Sequence, residues 1–470
     1  KVEVIAAGLT HQTAVFAAAA TATVGSVSAT ATAVTASATN LAADGSSRSV
    51  ITVIPRDANG RNLGPGQTVA LSKSGGGTLS AVTDKGDGSY TATLLAAATT
   101  GSATISATVN GTPVQQTASV AFVVPILVSA GNLPGTGPLQ SVVDSSDNVY
   151  IGSGGIHRGI HRIDALTGVI TQVSAAEGIG VGLDRLGNLY YSQFTRVFKI
   201  DAASGVTVPV AGTGSTAGLD QGAALFSTIC TKLGAIATCA LAVDKADNIY
   251  AAEDQGHRVR KMEVATGLVS TIVGTGTSGY GGDGGPAVQA QLNTSHGIAL
   301  DEAGNLYIAD SANRRIRKVE AATGIITTVA GNGTAGFGGD GGLATAASLN
   351  GPSGVAVDRW GHLYIADTDN GRVRKVDGTS GIITTVAGGG TGGLGSPATG
   401  ANIGNPWDVS VDSSGNLYIT SPNSTTVLKV TTTAPPTIGL GVPPGALVFQ
   451  AALNARVPAH AVSISNAGRG

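Results

Sequence analysis

The chain carries little charge. Of its 470 residues, 12% are Asp, Glu, Lys or Arg, and the formal net charge is −2. Nucleic acid and anionic membranes both select a strong basic field, so neither is expected as the main partner. Long apolar runs are missing too. The stretch AFVVPILVSA (Ala121–Ala130) has ten residues and a proline, whereas a spanning helix needs about 18 or more, so no transmembrane segment is expected. Cysteine is scarce. Cys230 and Cys239 stand nine apart in a loop-like segment, either as a disulfide suited to an oxidising, extracellular setting or as two unpaired thiols. No signal-peptide pattern is present and the chain opens at Lys1, which leads to the expectation of a mature product or of part of a longer chain. The 70 glycines and 17 prolines are too few for a low-complexity chain, and 42% hydrophobic residues suffice for real cores, in about three domains by length.

What is present is a repeat. ALDEAGNLYIAD (Ala299–Asp310) recurs as AVDRWGHLYIAD (Ala356–Asp367), with looser copies beginning at Val142, Gly182, Ala242 and Ser410. Their aspartates are Asp144, Asp184, Asp244, Asp301, Asp358 and Asp412, and a tyrosine stands six residues after each, so six of the nine tyrosines share one register. Each copy reads as four short strands. The first runs into the aspartate, and a D-x-x-G-N turn makes a hairpin in which Gly or Asn supplies positive φ and the carboxylate accepts turn N–H groups. NLYIAD, RIRKV and IITTV supply the other three strands. Four-stranded units of this length suggest propeller blades.

The pattern resembles the NHL-repeat family of β-propellers over roughly Pro125 to Val430. The first two copies depart from it, with GSGGIHRGIHRI (Gly152–Ile163) and SQFTRVFKI (Ser192–Ile200) in place of the AD-x-x-N-x-R consensus. The sixth copy stops after three strands, at LKV (Leu428–Val430), whereas ILVSAGN (Ile126–Asn132) matches the fourth-strand sequence TTVAGNG (Thr327–Gly333). Residues 126–130 are therefore expected to pair beside Val427–Val430 and close a six-bladed ring.

Upstream, residues 22–124 alternate like sandwich strands, with turns at ADGSS (Ala43–Ser47), RDANG (Arg56–Gly60) and DKGDGSY (Asp84–Tyr90). Their order resembles bacterial immunoglobulin-like modules of the invasin/intimin type. The ends look like parts of further sandwiches. Val2–Ala17 resembles the closing hairpin of that module, and Gly445–Gly470 is similar to the opening strands of a hydin-like domain. The expected organisation is all-β: a closing hairpin (1–21), an immunoglobulin-like domain (22–124), a six-bladed propeller (125–432), and a linker with opening sandwich strands (433–470). Either the chain is a window on a longer tandem array, or its end strands complete a sandwich in a neighbouring molecule, the logic of β-strand addition.

Two glycine-rich loops, GYGGDGG (Gly279–Gly285) and GFGGDGG (Gly336–Gly342), are expected to join the outer strand of one unit to the inner strand of the next. Asp283 and Asp340 are read first as acceptors of backbone N–H groups within the loop. Their alternative role is a Ca²⁺ or sugar contact, although one carboxylate per loop falls short of the roughly six to eight oxygens Ca²⁺ takes; no other cofactor is expected. The loops between second and third strands place Glu253, Asp254, Asp310, Asp367 and Asp369 near Arg258, Arg314, Arg315 and Arg372, as salt bridges between units or as a rim for a polar ligand. The candidate ligand-binding set is thus Asp254, Asp283, Asp310, Asp340, Asp367 and Asp369.

The resemblance also implies lyases with metal-bound histidines at a central channel. Here His11, His157, His161, His257, His296, His362 and His460 are scattered, with no H-x-H or H-E-x-x-H spacing, and the inner strands look aliphatic, so neither a catalytic site nor a metal is expected. RNA binding, known for some animal members, lacks its aromatic–basic interleaving here, and Trp360 and Trp407 are read as packing groups. The expected function is a non-catalytic extracellular or cell-surface protein whose propeller binds a protein or glycan ligand on immunoglobulin-like spacers. The alternatives are a filament subunit that self-associates by strand exchange, and a propeller lyase or hydrolase.

Overall fold

A computed structural model describes residues 25–133, 138–153, 159–212, 222–223 and 239–432. The end segments expected to be partial sandwiches (1–21 and 433–470), His157 and Cys230 lie outside the described residues. Those residues form an all-β structure in which the helices are single 3-10 turns of three residues.

Residues 33–123 build two five-stranded sheets. One runs Ala33–Ala36, Arg48–Ile54, Tyr90–Leu95, Thr78–Leu79, with Thr83–Asp84 also on Tyr90–Leu95, and the other Asn40–Ala42, Ala118–Val123, Gly101–Val109, Val69–Gly75, with Thr112–Pro113 also on Gly101–Val109. Side chains alternate across a strand, and burial follows that period: Arg48–Ile54 buries Ser49, Ile51 and Val53, and Gly101–Val109 buries Ala103, Ile105, Ala107 and Val109. These apolar residues join Tyr90, Leu94, Leu41, Val120 and Phe122 in one core drawn from both sheets.

Residues 126–431 build six further sheets. In the fourth, Ser295–Leu300, Leu306–Asp310, Arg315–Val319 and Ile326–Ala330 pair antiparallel in chain order, and the fifth repeats this with Pro352–Val357, Leu363–Asp367, Arg372–Val376 and Ile383–Gly388. The sixth is assembled from both ends of the region: Asp408–Val411, Leu417–Thr420 and Thr426–Thr431 are completed by Ile126–Asn132, in the register Ile126↔Thr431, Leu127↔Val430 and Ser129↔Leu428. The first strands of successive sheets pack on one another, and that of the sixth packs on that of the first.

Glycine-rich loops seal the outer edges. Gly284 donates to the Ile326 carbonyl while Ile326 donates to Gly285, and Gly341, Ile383 and Gly342 repeat the exchange. In the sixth sheet Gly395 donates to Leu127 and Leu127 donates to Ser396. In these three sheets the outer edge strand thus has part of its ladder satisfied by the preceding loop, which removes a template for stray pairing.

Leu127 is 1% exposed and lies in the core of the fifth and sixth sheets. Leu127→Ala should cost about 3 kcal/mol and lower the thermal midpoint of residues 126–431 as one cooperative unit. Unfolding confined to the amides of 126–132 by hydrogen exchange would contradict the closing role of this strand.

Candidate functional site

Each repeat is latched at its first hairpin. The Asp301 carboxylate accepts the N–H groups of Ala303 and Asn305 through Oδ1, at 3.0 and 2.8 Å, and the Asn305 side-chain amide through Oδ2 at 2.7 Å. Gly304 takes φ +83°, and Asp147 and Asp247 take the same left-handed conformation at +63° and +64°. Asn305 Oδ1 then accepts Ala321 N at 2.9 Å, tying the hairpin to the end of the third strand. The repeat tyrosine completes the latch: Tyr190, Tyr250, Tyr307, Tyr364 and Tyr418 each donate to the aspartate six residues earlier at 3.1–3.3 Å. Burial, and then the nearby carboxylate, raise these phenols far above their ordinary range, so they remain donors. Asp144, Asp184, Asp244, Asp301, Asp358 and Asp412 therefore sit in the turns.

The GGDGG aspartates do something the sequence reading missed. Arg317 and Arg374 are 0% exposed at the centre of their third strands. Arg317 reaches Asp283 Oδ1 through Nη2 at 2.6 Å and Nε at 3.0 Å, and Asp310 Oδ2 through Nη1 at 3.3 Å; its Nη2 also donates to the Gly281 carbonyl at 3.2 Å. Arg374 repeats the arrangement with Asp340 (2.7 Å), Asp367 (3.3 Å) and the Gly338 carbonyl (3.1 Å). The second loop oxygens accept Thr328 and Thr385 hydroxyls at 2.6 and 2.7 Å. Asp283 and Asp340 thus accept from side chains of the next sheet, and not from loop N–H groups as expected, because a fully buried guanidinium without acids beside it would cost several kcal/mol. Although burial opposes it, Thr328, Arg317 and Tyr280 hold the Asp283 carboxyl below the ordinary range. At Asp310 and Asp367 burial dominates and pushes the carboxyl up, partly offset by amide donors and the arginine.

The rim expectation changes accordingly. Asp310 and Asp367 are 0% exposed and face inward, capping the Asn293 and Asn350 amides at 2.8 Å, so they offer no oxygen at a surface. Arg315 and Arg372 do not pair with them; they stack on Tyr280 and Phe337, guanidinium to ring centre 3.8 and 3.9 Å. Glu253 does pair with Arg258, at 2.6 Å, within one sheet. Asp254 lies 3.5 Å from His296 Nε2, and Asp369 holds its loop by a backbone bond to Asn350. Among the described residues no group of three or more His, Cys, Asp or Glu is placed to hold a metal ion. Cys239 is disulfide-bonded.

The inner strands surround a channel of about 270 Å³. Four residues before each turn aspartate, the repeats place Gln140, Gly180, Ala240, Gly297, Gly354 and Asp408. Gln140 staples two strands, accepting from Val181 N (2.9 Å) and Leu241 N (3.1 Å) and donating to Leu241 O (3.0 Å). Asp408 accepts Ser141 N at 2.8 Å and its hydroxyl at 3.2 Å. Burial lifts its carboxyl to about 7 against those bonds. One row further along, the His296 ring lies against Trp407, tilted by 35° with ring centres 4.9 Å apart. The sequence reading passed over Gln140 and Asp408 because each occurs once; their signal was a polar residue at a row otherwise Gly or Ala.

Two outcomes follow from these contacts. Arg317→Leu should cost about 3–5 kcal/mol by stranding the fully buried Asp310 carboxylate and leaving the partly exposed Asp283 without its guanidinium, whereas Asp283→Leu, Asp310→Ser and Arg317→Leu together, copying Leu394, Ser421 and Leu428 of the sixth repeat, should recover most of it in denaturant unfolding. For Asp408, the folded state holds its proton more tightly than an unfolded carboxyl near 4, so its stabilisation is complete below about pH 4 and fades as the pH rises to about 7, by the order of 4 kcal/mol. Asp408→Asn should flatten that interval and raise stability at pH 8, measured by urea midpoints against wild type.

With this geometry in view, two family models match: "Invasin, domain 3" at residues 28–124, and the teneurin NHL domain at residues 276–337 and 335–399. NHL repeat-containing protein 2 of Bos taurus is 31% identical over 136 residues, covering 27% of this chain and 19% of that protein. Teneurin-1 of Mus musculus is 26% identical over 243 residues, covering 44% of this chain and 8% of that protein. The chain thus spans no more than about a fifth of the length of these curated relatives. Among solved structures, a Bacteroides thetaiotaomicron protein of unknown function superposes with a TM-score of 0.56 at 18% identity, over 84% of this chain and 97% of that one, which is a likeness of fold. The chain carries NHL repeats, matched at residues 276–399, with an invasin-like domain ahead of them at residues 28–124.

Proposed function

We propose that the six repeat sheets are the blades of an NHL propeller closed by Ile126–Asn132, that the sheets of residues 33–123 form an immunoglobulin-like sandwich, and that the protein is a non-catalytic extracellular module displaying the propeller as a platform for a protein or glycan ligand. One observation carries the platform: Tyr280 and Phe337 stand at equivalent positions of successive units, 45% and 47% exposed, each ring pinned by an arginine. A half-exposed aromatic ring held rigid gives large contact area at little entropic cost, and the pair of arginines leaves a polar border around it. The channel supports the non-catalytic reading, since Gln140 and Asp408 are spent on holding inner strands. The bonded Cys239 and the invasin-like domain support an oxidising, extracellular setting.

The test is a screen of the purified chain against immobilised glycans and extracellular-matrix proteins. A ligand should be found whose affinity falls about tenfold or more in Tyr280→Ala/Phe337→Ala, while Tyr280→Phe, which copies the fifth repeat, binds like wild type. Ligand binding indifferent to the double substitution would remove the aromatic pair from the site. Turnover of a lactone or ester panel would overturn the non-catalytic reading.

A further inference from the structure

The invasin-like domain rests on the fifth repeat through polar contacts: Lys375 Nζ to Asp44 Oδ2 at 3.1 Å and to Ser46 Oγ at 2.7 Å, and Arg48 Nη2 to Thr379 Oγ1 at 3.0 Å. Between them lies a cavity of about 470 Å³, within the range of small-molecule sites. Its wall is mainly apolar and aromatic, with Leu41, Val124, Trp360, Tyr364, Val386 and Leu417 drawn from both domains.

The fifth repeat departs from its siblings at this wall. Two residues after the turn aspartate the repeats place Ser146, Leu186, Ala246, Ala303 and Ser414, but here Trp360. Four residues after it, the other five carry asparagine and this one carries His362. His362 takes over part of the asparagine's role, since its Nδ1 accepts Gly378 N at 3.0 Å, as Asn305 Oδ1 accepts Ala321 N at 2.9 Å. Asp377 Oδ2 lies 3.2 Å from the same nitrogen, but the Gly378 proton already occupies its lone-pair side. An imidazole extends further than an amide and carries a second nitrogen. Burial, and then the Lys375 charge, hold the ring neutral, and with Nδ1 accepting, the proton sits on Nε2. That N–H is buried, with His362 1% exposed, and has no hydrogen-bond partner among the described residues. An orphan donor of this kind costs about 1–3 kcal/mol, and asparagine would have avoided it.

The acids of the wall are already engaged: Lys375 neutralises Asp44, and Asp358 and Asp412 hold their turns and tyrosines. Arg48 and Arg359 lie over the Trp360 ring, 5.7 and 5.1 Å from its centre, so a cationic ligand would find no free counter-charge among the acids. We propose that this junction cavity is a binding site for a compact, non-cationic, largely apolar molecule bearing a carbonyl, ether or hydroxyl oxygen, which accepts the His362 Nε2 proton while its body packs on Trp360 and Tyr364. The site is separate from the aromatic pair at Tyr280 and Phe337, so each assignment stands or falls alone.

The probe is prodan, an uncharged naphthyl ketone whose emission shifts blue in apolar surroundings, added to the full chain carrying Trp407→Phe so that Trp360 is the one remaining tryptophan. Saturable binding at one site, with a blue shift and energy transfer from Trp360, is expected at micromolar concentration. His362→Asn restores the residue of the other repeats and should keep the fold, with a thermal midpoint at or above wild type. It should weaken prodan about five- to tenfold, the worth of one buried hydrogen bond. Ala42→Trp, which fills the cavity from the invasin-like side, should abolish saturation. Absence of saturable binding, or binding that persists in a folded Ala42→Trp chain, would overturn the site. Unchanged affinity in His362→Asn would overturn the oxygen-bearing ligand.

Discussion

A guanidinium with no water around it is the constraint on which the centre of the repeat region depends. Arg317 and Arg374 are among the largest fully buried side chains in the protein. Two carboxylates and backbone carbonyls must arrive at each of them from separate segments. One acid comes from the end of the second strand of the same sheet and the other from the crossing loop that enters it. The loop can therefore take one path only: its aspartate must meet the arginine while its next glycines bond the outer strand edge. That requirement explains a glycine-rich loop that is not loose. Such a network contributes little net energy over an apolar filling of the same volume; what it specifies is position.

The sixth repeat supplies the contrast inside one chain. Leu394 stands where the loop aspartate would be, Ser421 replaces the second acid and Leu428 replaces the arginine. All three members change together, as they must if leaving one would strand a buried charge. The three positions lie in one stretch of chain, between Leu394 and Leu428, so the exchange is local to this unit even though its outer strand, Ile126–Asn132, comes from far away. Leu394 is 58% exposed there: once the arginine is gone, the loop position no longer has a charge to meet.

Much of this fold was legible because it repeats. The aspartate–tyrosine interval and the strand sequence displaced to residues 126–132 needed only register counting. The inward arginines were not read, although R-x-R in the third strand signals two side chains on one face, because Arg315 and Arg317 look alike in sequence and only one of them is buried. Asp310 and Asp367 were assigned to the rim for the same reason: a strand-end acid followed by a turn reads as exposed, and nothing local announces the guanidinium seven residues later. The channel polar groups were missed for the opposite reason, since Gln140 and Asp408 each break a pattern instead of repeating one.

Those single departures carry most of the functional information. Where six copies share a backbone, each is a control for the others, and a residue that breaks register at a cost needs a reason the shared fold does not supply. Gln140 has one, in the two inner strands it joins. Asp408 has half of one, since Ser141 satisfies it at the expense of an ionisation shifted toward neutrality. His362 has the least: it reproduces one bond of the asparagine it replaces, gives up that residue's amide bond to the turn carboxylate, and adds a buried donor with nothing to meet it. It does so beside Trp360, the other residue the fifth hairpin does not share with its siblings, and under the one domain that packs against that hairpin. Two unshared residues lining one cavity, one of them destabilising as it stands, argue that the fifth repeat diverged for what enters the cavity and not for what holds its sheet.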